Sequence, residues 1–167
     1  VSLLLACTLL AGMLPLSASA ASAPTSGEAF KWVQSKIEEI QDSLEEGEPP
    51  YSQGSWVNIP RSDLYRLMLS RSVETVDHEF VADAIIFIAP GDGAAADRCI
   101  IPNYQSLEDT QWGKSGASGV YIADGVTGIG NHAFNGMSTL ETLEIQNPDS
   151  LTRIGDYAFN GCDQLQG

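Results

Sequence analysis

Cysteine, histidine and basic side chains are scarce in this sequence, and each scarcity removes a class of function. Three cysteines and two histidines are spread over 167 residues. There is no C-x-x-C, no H-x-x-x-H and no nucleophile elbow, so zinc sites, thiol redox centres and hydrolase serines have no signature here. Eight Lys and Arg stand against 22 Asp and Glu, a formal charge of −14. Nucleic-acid binding needs clustered cations, and this balance excludes it. The charge suits a soluble, self-repelling exported chain. The densest acidic run, Glu38 to Glu48, reads as a solvated face or connector. His78 lies in the acidic stretch Glu74 to Asp83. A nucleophile pair with Cys99, or a metal site with Asp77 and Glu79, would lack any supporting motif. No catalytic residue, cofactor or metal is expected.

Long apolar runs are equally rare. The main one, Leu3 to Leu16, is broken only by Thr8, Gly12 and Pro15, and small residues follow from Ser17 to Ala23. An apolar core followed by small residues reads as a secretory signal peptide over residues 1–23, cleaved after Ala20 or Ala23. The run is too short to span a bilayer, which confines membrane contact to this peptide or to a missing anchor. Leu4-Leu5-Ala6-Cys7 loosely resembles a lipoprotein box, but the apolar run continues past Cys7. With no initiating Met and no basic n-region, the chain is expected to have lost a few residues at its start. Cleavage leaves Cys99 and Cys162, free to pair outside the cell but too few for a disulfide framework. Cys162 is expected to be buried and unpaired.

What is present begins with a helical period. Phe30, Val33, Ile37, Ile40 and Leu44 recur at spacings of three and four, predicting a helix over about 28–45, with Ser26 as its cap. Ser62-Asp63 followed by Leu64, Leu67 and Met68 predicts a second short helix. Ala84 to Ala89 is a compact apolar run before Pro90-Gly91-Asp92-Gly93, and predicts a buried strand over about 84–89. The segment 24–98 is thus an N-terminal region of unknown fold.

The last third writes one pattern twice. Ile129-Gly130, Ala133-Phe134 and Asn135-Gly136 recur as Ile154-Gly155, Ala158-Phe159 and Asn160-Gly161, at an offset of 25. Val120 and Ile122 match Leu143 and Ile145 at an offset of 23, which places a two-residue insertion around Asn147-Pro148-Asp149. A period in the twenties with one short alternating strand per copy predicts a leucine-rich-repeat solenoid of α/β class, each repeat a short parallel strand plus a short helix or turn around Asn131–Phe134 and Asp156–Phe159. Ala-Phe pairs should stack inside, and the glycines should turn. Asn135 and Asn160 are expected to bond backbone groups at the turns as a ladder, and His132 should cover a surface.

Ile122-Ala123-Asp124-Gly125-Val126-Thr127-Gly128-Ile129-Gly130-Asn131-His132-Ala133-Phe134 resembles the BspA-like leucine-rich repeats of bacterial surface proteins. Met137 departs from the family's Cys, whereas Gly161-Cys162 keeps it. Ile101-Pro102-Asn103-Tyr104 with Trp112 is similar to the family's lead-in, so Tyr104 and Trp112 are expected to cap the first repeat. The likeness covers about 99–167, a cap plus about two repeats. Since about three repeats make a stable unit, further repeats or another domain are expected beyond Gly167. The resemblance implies a secreted or cell-surface, non-catalytic protein for protein binding or adhesion, with a host or matrix protein as ligand. The outward strand residues Tyr121, Thr142 and Glu144 are the candidate ligand-facing surface. The alternative is a positioning module of a secreted enzyme, such as a peptidase, whose catalytic domain lies outside the repeats.

Overall fold

The computed structural model describes residues 24–25 and 27–166. The signal segment 1–23, with Cys7, and the Ser26 cap lie outside them. Helix α1 (Glu28–Asp42) forms where the spacing of three and four placed it. Its stripe buries Val33 and Ile37, with Phe30 and Ile40 beside them.

Four strands follow in the N-terminal region: β1 (Ser52–Gln53), β2 (Val57–Asn58), β3 (Leu64–Glu74) and β4 (Phe80–Pro90). The helix expected from Ser62 through Met68 is therefore corrected to a strand. Leu64 and Met68 pack towards one core and Leu67 and Leu69 towards another, so β3 carries apolar residues on both faces. A strand covered on both sides loses its alternation, and Leu64, Leu67 and Met68 imitate a helical period. Ser62 caps a turn instead: its hydroxyl accepts from the Leu64 N–H at 3.3 Å and donates to the Ile59 carbonyl at 2.9 Å. The apolar run 84–89 is a strand, as expected, but β4 is 11 residues long and takes in part of the acidic stretch.

The remaining strands are β5 (Ile100–Ile101), β6 (Ala117–Ile122), β7 (Gly128–Ile129), β8 (Thr142–Ile145) and β9 (Arg153–Ile154). They make two ladders. In the larger sheet the order is β1-β3-β4-β6-β8, with β2 also on β3. β3 and β4 are antiparallel, and from β4 through β6 to β8 every pairing is parallel. The smaller sheet, β5-β7-β9, is parallel throughout. Val120 pairs with Leu143 and Ile129 with Ile154, the two offsets read from the sequence. Each repeat thus contributes one rung to each ladder, and β4 supplies the first rung of the larger one.

The interior lies between the two sheets, where Ile86, Ile88, Val120 and Ile122 meet Ile101, Ile129 and Phe134. On the other face of the larger sheet, α1 covers Leu67, Leu69, Ile85 and Phe87. Tyr104 and Trp112 cap the interior as expected. Their rings meet edge-on, Trp112 stacks on Phe134 at 5.1 Å, and Phe134 stacks on Phe159 at 5.2 Å. Trp112 Nε1 also donates to the Ala133 carbonyl at 2.9 Å. Each such ring pair contributes about 1 kcal/mol beyond its buried area. Residues 131–136 and 156–161 are turns, the second of the two forms, short helix or turn, expected for each repeat.

Repeat-to-repeat approach is closest at two glycines. A Cβ on Gly130 would sit 2.3 Å from the Pro102 carbonyl oxygen, and one on Gly155 would sit 2.5 Å from the Asn131 amide nitrogen. Both neighbours are backbone, so nothing can swing aside. Asp83 fastens the N-terminal segments to the ladder. Its carboxylate accepts from Arg71 Nε at 2.9 Å, from the Tyr51 hydroxyl at 2.5 Å and from Ser118 Oγ at 2.7 Å. Ser118 is the extra residue where the β4–β6 register shifts. Burial alone would raise the Asp83 carboxyl, but the Tyr51, Ser118 and Arg71 hydrogen bonds prevail and hold it below its ordinary 3.8.

Two outcomes are expected. Gly155→Ala should cost about 3 kcal/mol in urea unfolding through this overpacking, whereas Gly136→Ala, with open space at φ +84, should cost only about 1 kcal/mol. Asp83 is depressed in the folded state, so its stabilisation is complete above the ordinary carboxylate pKa and is lost as pH falls through the folded one. Asp83→Asn should cost about 2 kcal/mol at pH 7 and progressively less below about pH 4. Urea midpoints of both proteins from pH 7 to pH 2 measure this, and a pH-independent difference would refute it.

Candidate functional site

The strand face comes first, because it carries the residues singled out from the sequence. Tyr121 and Glu144 do project opposite to the inward Val120, Ile122, Leu143 and Ile145. That side is not open, however. The Tyr121 ring lies 5.0 Å from Phe87 in a stacked pair and 6.5 Å from Trp32 of α1. Glu144 accepts from Lys36 Nζ of the same helix at 3.1 Å, and Lys36 also reaches Glu39 at 3.0 Å. The bonds to Glu39 and Glu144 raise the Lys36 pKa against burial. Tyr121 is raised as well, first by burial and then by the Glu144 charge. The expectation of a free outward face is therefore corrected for these two residues: α1 lies over them. Thr142 remains exposed. No sequence signal revealed that the helix and the repeat strand share one sheet face.

The turn side of the repeats offers more. His132 and Tyr157 occupy equivalent positions, both with left-handed backbone at φ 57 and 56. Their rings are parallel, 11° apart in orientation and 5.2 Å between centroids. Tyr157 is 64% exposed. Behind them the turns bond repeat to repeat: the N–H groups of His132, Phe134 and Gly136 donate to the carbonyls of Asp156, Ala158 and Asn160 at 2.7–3.0 Å. Asn160 Nδ2 donates to Asn135 Oδ1 at 3.0 Å, so these two side chains bond each other and not the backbone groups expected of them. The amide that bonds backbone is a different one. Asn103 Oδ1 accepts from the Asn131 N–H at 2.8 Å, and Asn131 Oδ1 accepts from the Asp156 N–H at 3.0 Å. That ladder was missed because the second copy carries Asp where the first carries Asn.

The other chemistry-bearing residues do not gather. His78 sits at the exposed tip of the β3–β4 hairpin, its Nδ1 2.8 Å from Glu74. Cys99 is buried in the interior between the sheets, where burial and the nearby Asp63 and Asp97 raise its thiol pKa. The two are not brought together. Cys99 and Cys162 are both free thiols, so the pairing open to them does not occur. Cys162 is half-buried rather than buried, and its thiol donates to the Phe134 carbonyl at 3.2 Å. Among the described residues no three His, Cys, Asp or Glu side chains are placed to share a metal ion. No helix among them is long and apolar enough to cross a membrane. Open hollows of about 490 Å³ beside Arg61 and Tyr104, and about 350 Å³ beside Asp63 and Arg98, converge on no nucleophile–base pair.

Comparison with known proteins adds one finding. Residues 101–167 match the family model described as BspA type leucine rich repeat region (6 copies). No curated protein and no solved structure matches the chain. The match begins at β5, at the lead-in to Tyr104 and Trp112, and runs through both written copies of the pattern. The likeness to the BspA type leucine rich repeat region thus covers residues 101–167, carried here on a mixed α/β fold with parallel strands.

Proposed function

We propose that the chain is an exported, non-catalytic protein-binding or adhesion module, whose repeats wind as a solenoid and meet their ligand at the surface of the cell. The observation that carries this reading is the pair of parallel ladders, one rung per repeat in each, within a stretch that matches the family. Stacked rungs of this kind present equivalent side chains at regular intervals, which is how repeat proteins build extended binding surfaces. With α1 lying over Tyr121 and Glu144, Thr142 is left on the strand side. The stacked His132–Tyr157 column is the larger exposed feature of the repeats, and the ligand, a host or matrix protein, is assigned to it. Held at positive φ, both rings stand on a turn fixed by backbone bonds, and preorganised aromatics of this kind favour protein contacts.

The test uses the full chain against a panel of immobilised extracellular-matrix proteins. The double variant His132→Ser, Tyr157→Ser should weaken binding to the recognised panel member by about tenfold or more. Its stability should fall by only about 1 kcal/mol, the stacking contribution. Undiminished binding by the double variant removes the turn face as the ligand surface. Peptide hydrolysis by the chain, abolished by Cys99→Ala or His78→Ala, would overturn the non-catalytic reading.

A further inference from the structure

The β3–β4 hairpin is longer than the sheet that contains it. The two strands pair from Leu64–Pro90 out to Glu74–Phe80. On the outside, β1 and β2 pair only with residues between Tyr65 and Ser70, and on the inside β6 reaches only Ala84 to Ile88. Arg71–Glu74 and Phe80–Asp83 therefore run on as a two-stranded ribbon, with no third strand beside them among the described residues. A two-stranded ribbon is marginal in water by itself, and large apolar side chains on it gain nothing from the core.

Yet the ribbon carries them. Val76 is 94% exposed, Phe80 70% and Val81 46%, three of the five large apolar residues exposed among the described ones. Phe80 and Val81 are successive strand residues and so stand on opposite faces of the ribbon, with Val76 in its turn, and apolar exposure gathered on both faces of one hairpin end suits insertion into a cleft, whereas scattered single residues need no explanation. Glu74, Asp77 and Glu79 belong to the same hairpin end, Glu74 with His78 Nδ1 at 2.8 Å, and between Ser72 and Ala82 there is no Lys or Arg. Arg71, just below, is engaged by Asp83 and Glu48. The tip turn itself is built, with the Thr75 N–H donating to Glu79 at 2.7 Å and the His78 N–H to Thr75 at 2.9 Å.

We propose that this acidic and apolar tip, Val76–Phe80–Val81 with Glu74, Asp77 and Glu79, is a docking arm for a basic protein surface that presents an apolar cleft. The charge selects that occupant. A second copy would bring three carboxylates against three, on chains of formal charge −14, and like charges in apposition cost binding. An anionic bilayer is opposed in the same way. A cationic protein gains both steering from the carboxylates and burial of Phe80 and Val76. The arm lies outside residues 101–167, so it stands or falls separately from a ligand site on the repeats.

The full chain would be titrated, by fluorescence anisotropy at low salt, with three labelled octapeptides: alternating Lys and Val, alternating Lys and Ser, and alternating Glu and Val. The Lys/Val peptide should bind, and the other two should bind at least about tenfold more weakly. Phe80→Ser should reduce Lys/Val binding about tenfold, as should Glu74→Gln with Asp77→Asn and Glu79→Gln, and the steep weakening with salt should persist in Phe80→Ser but be lost in the charge-neutralised variant. Should Phe80→Ser lower the melting temperature, Val76→Ser carries the same expectation at a position with almost no buried area. No binding of the Lys/Val peptide, or equal binding by these variants, overturns the proposal. So does concentration-dependent dimerisation in sedimentation that Phe80→Ser abolishes, which makes a second copy the occupant. Partition onto phosphatidylcholine vesicles that Phe80→Ser abolishes assigns the tip to lipid and overturns it equally.

Discussion

A parallel strand with one bare edge has backbone donors and acceptors that must be satisfied, and this requirement organises everything before the repeats. β6 and β8 extend a ladder that has to begin somewhere. β4 begins it, pairing in parallel with β6 along Ala84–Ile88, and β3 then turns back antiparallel to cover β4. The short strands β1 and β2 finish the outer edge, where brief pairing limits further strand addition. With one side of this sheet facing the interior, its other side needs its own cover, and α1 supplies it. The N-terminal region is therefore legible as the solution to an edge and a face. Asp83 ties the solution together, joining the Tyr51 segment, β3 and the bulge of β6 through a single carboxylate.

The repeats were readable because their physics is local and written twice. Val120 and Ile122 against Leu143 and Ile145, and the recurring Ile-Gly and Ala-Phe, each predict their place, and the pairing registers agree residue for residue. Tyr104 and Trp112 were legible as caps for the same reason: an apolar rung needs an aromatic lid. The helix was also legible, since its stripe faces a single partner. The hairpin was not. Leu64 to Leu69 serves two cores at once, and a residue buried on either face leaves no period to read. The acidic stretch Glu74 to Asp83, in which His78 chemistry has no motif behind it, is the end of a strand, a tight turn and the start of another.

The candidate site was half legible. The direction of Tyr121 and Glu144 followed from strand alternation, but their cover depends on Trp32 and Lys36 of a helix far earlier in the chain, and no pattern in either segment encodes that meeting. Conversely, the His132–Tyr157 stack needed only equivalence between repeats, yet the pair differ in type, which hid their common left-handed backbone. Positions that agree between the copies are occupied in holding one turn against the next, which leaves the diverging ones free to vary.

The two ladders keep different step lengths. Successive rungs are 23 residues apart from β6 to β8, 25 from β7 to β9 and 28 from β5 to β7. The surplus is taken up outside the rungs, in the lead-in around Trp112 and in the 3-10 turn Pro148–Ser150. Chain length between rungs is thus uncoupled from rung geometry, as a rope ladder keeps its spacing whatever slack hangs at its sides. Insertions at Asn147–Ser150 can accumulate, or be grafted, while both ladders keep their register, so new loops can be tried there without refounding the fold.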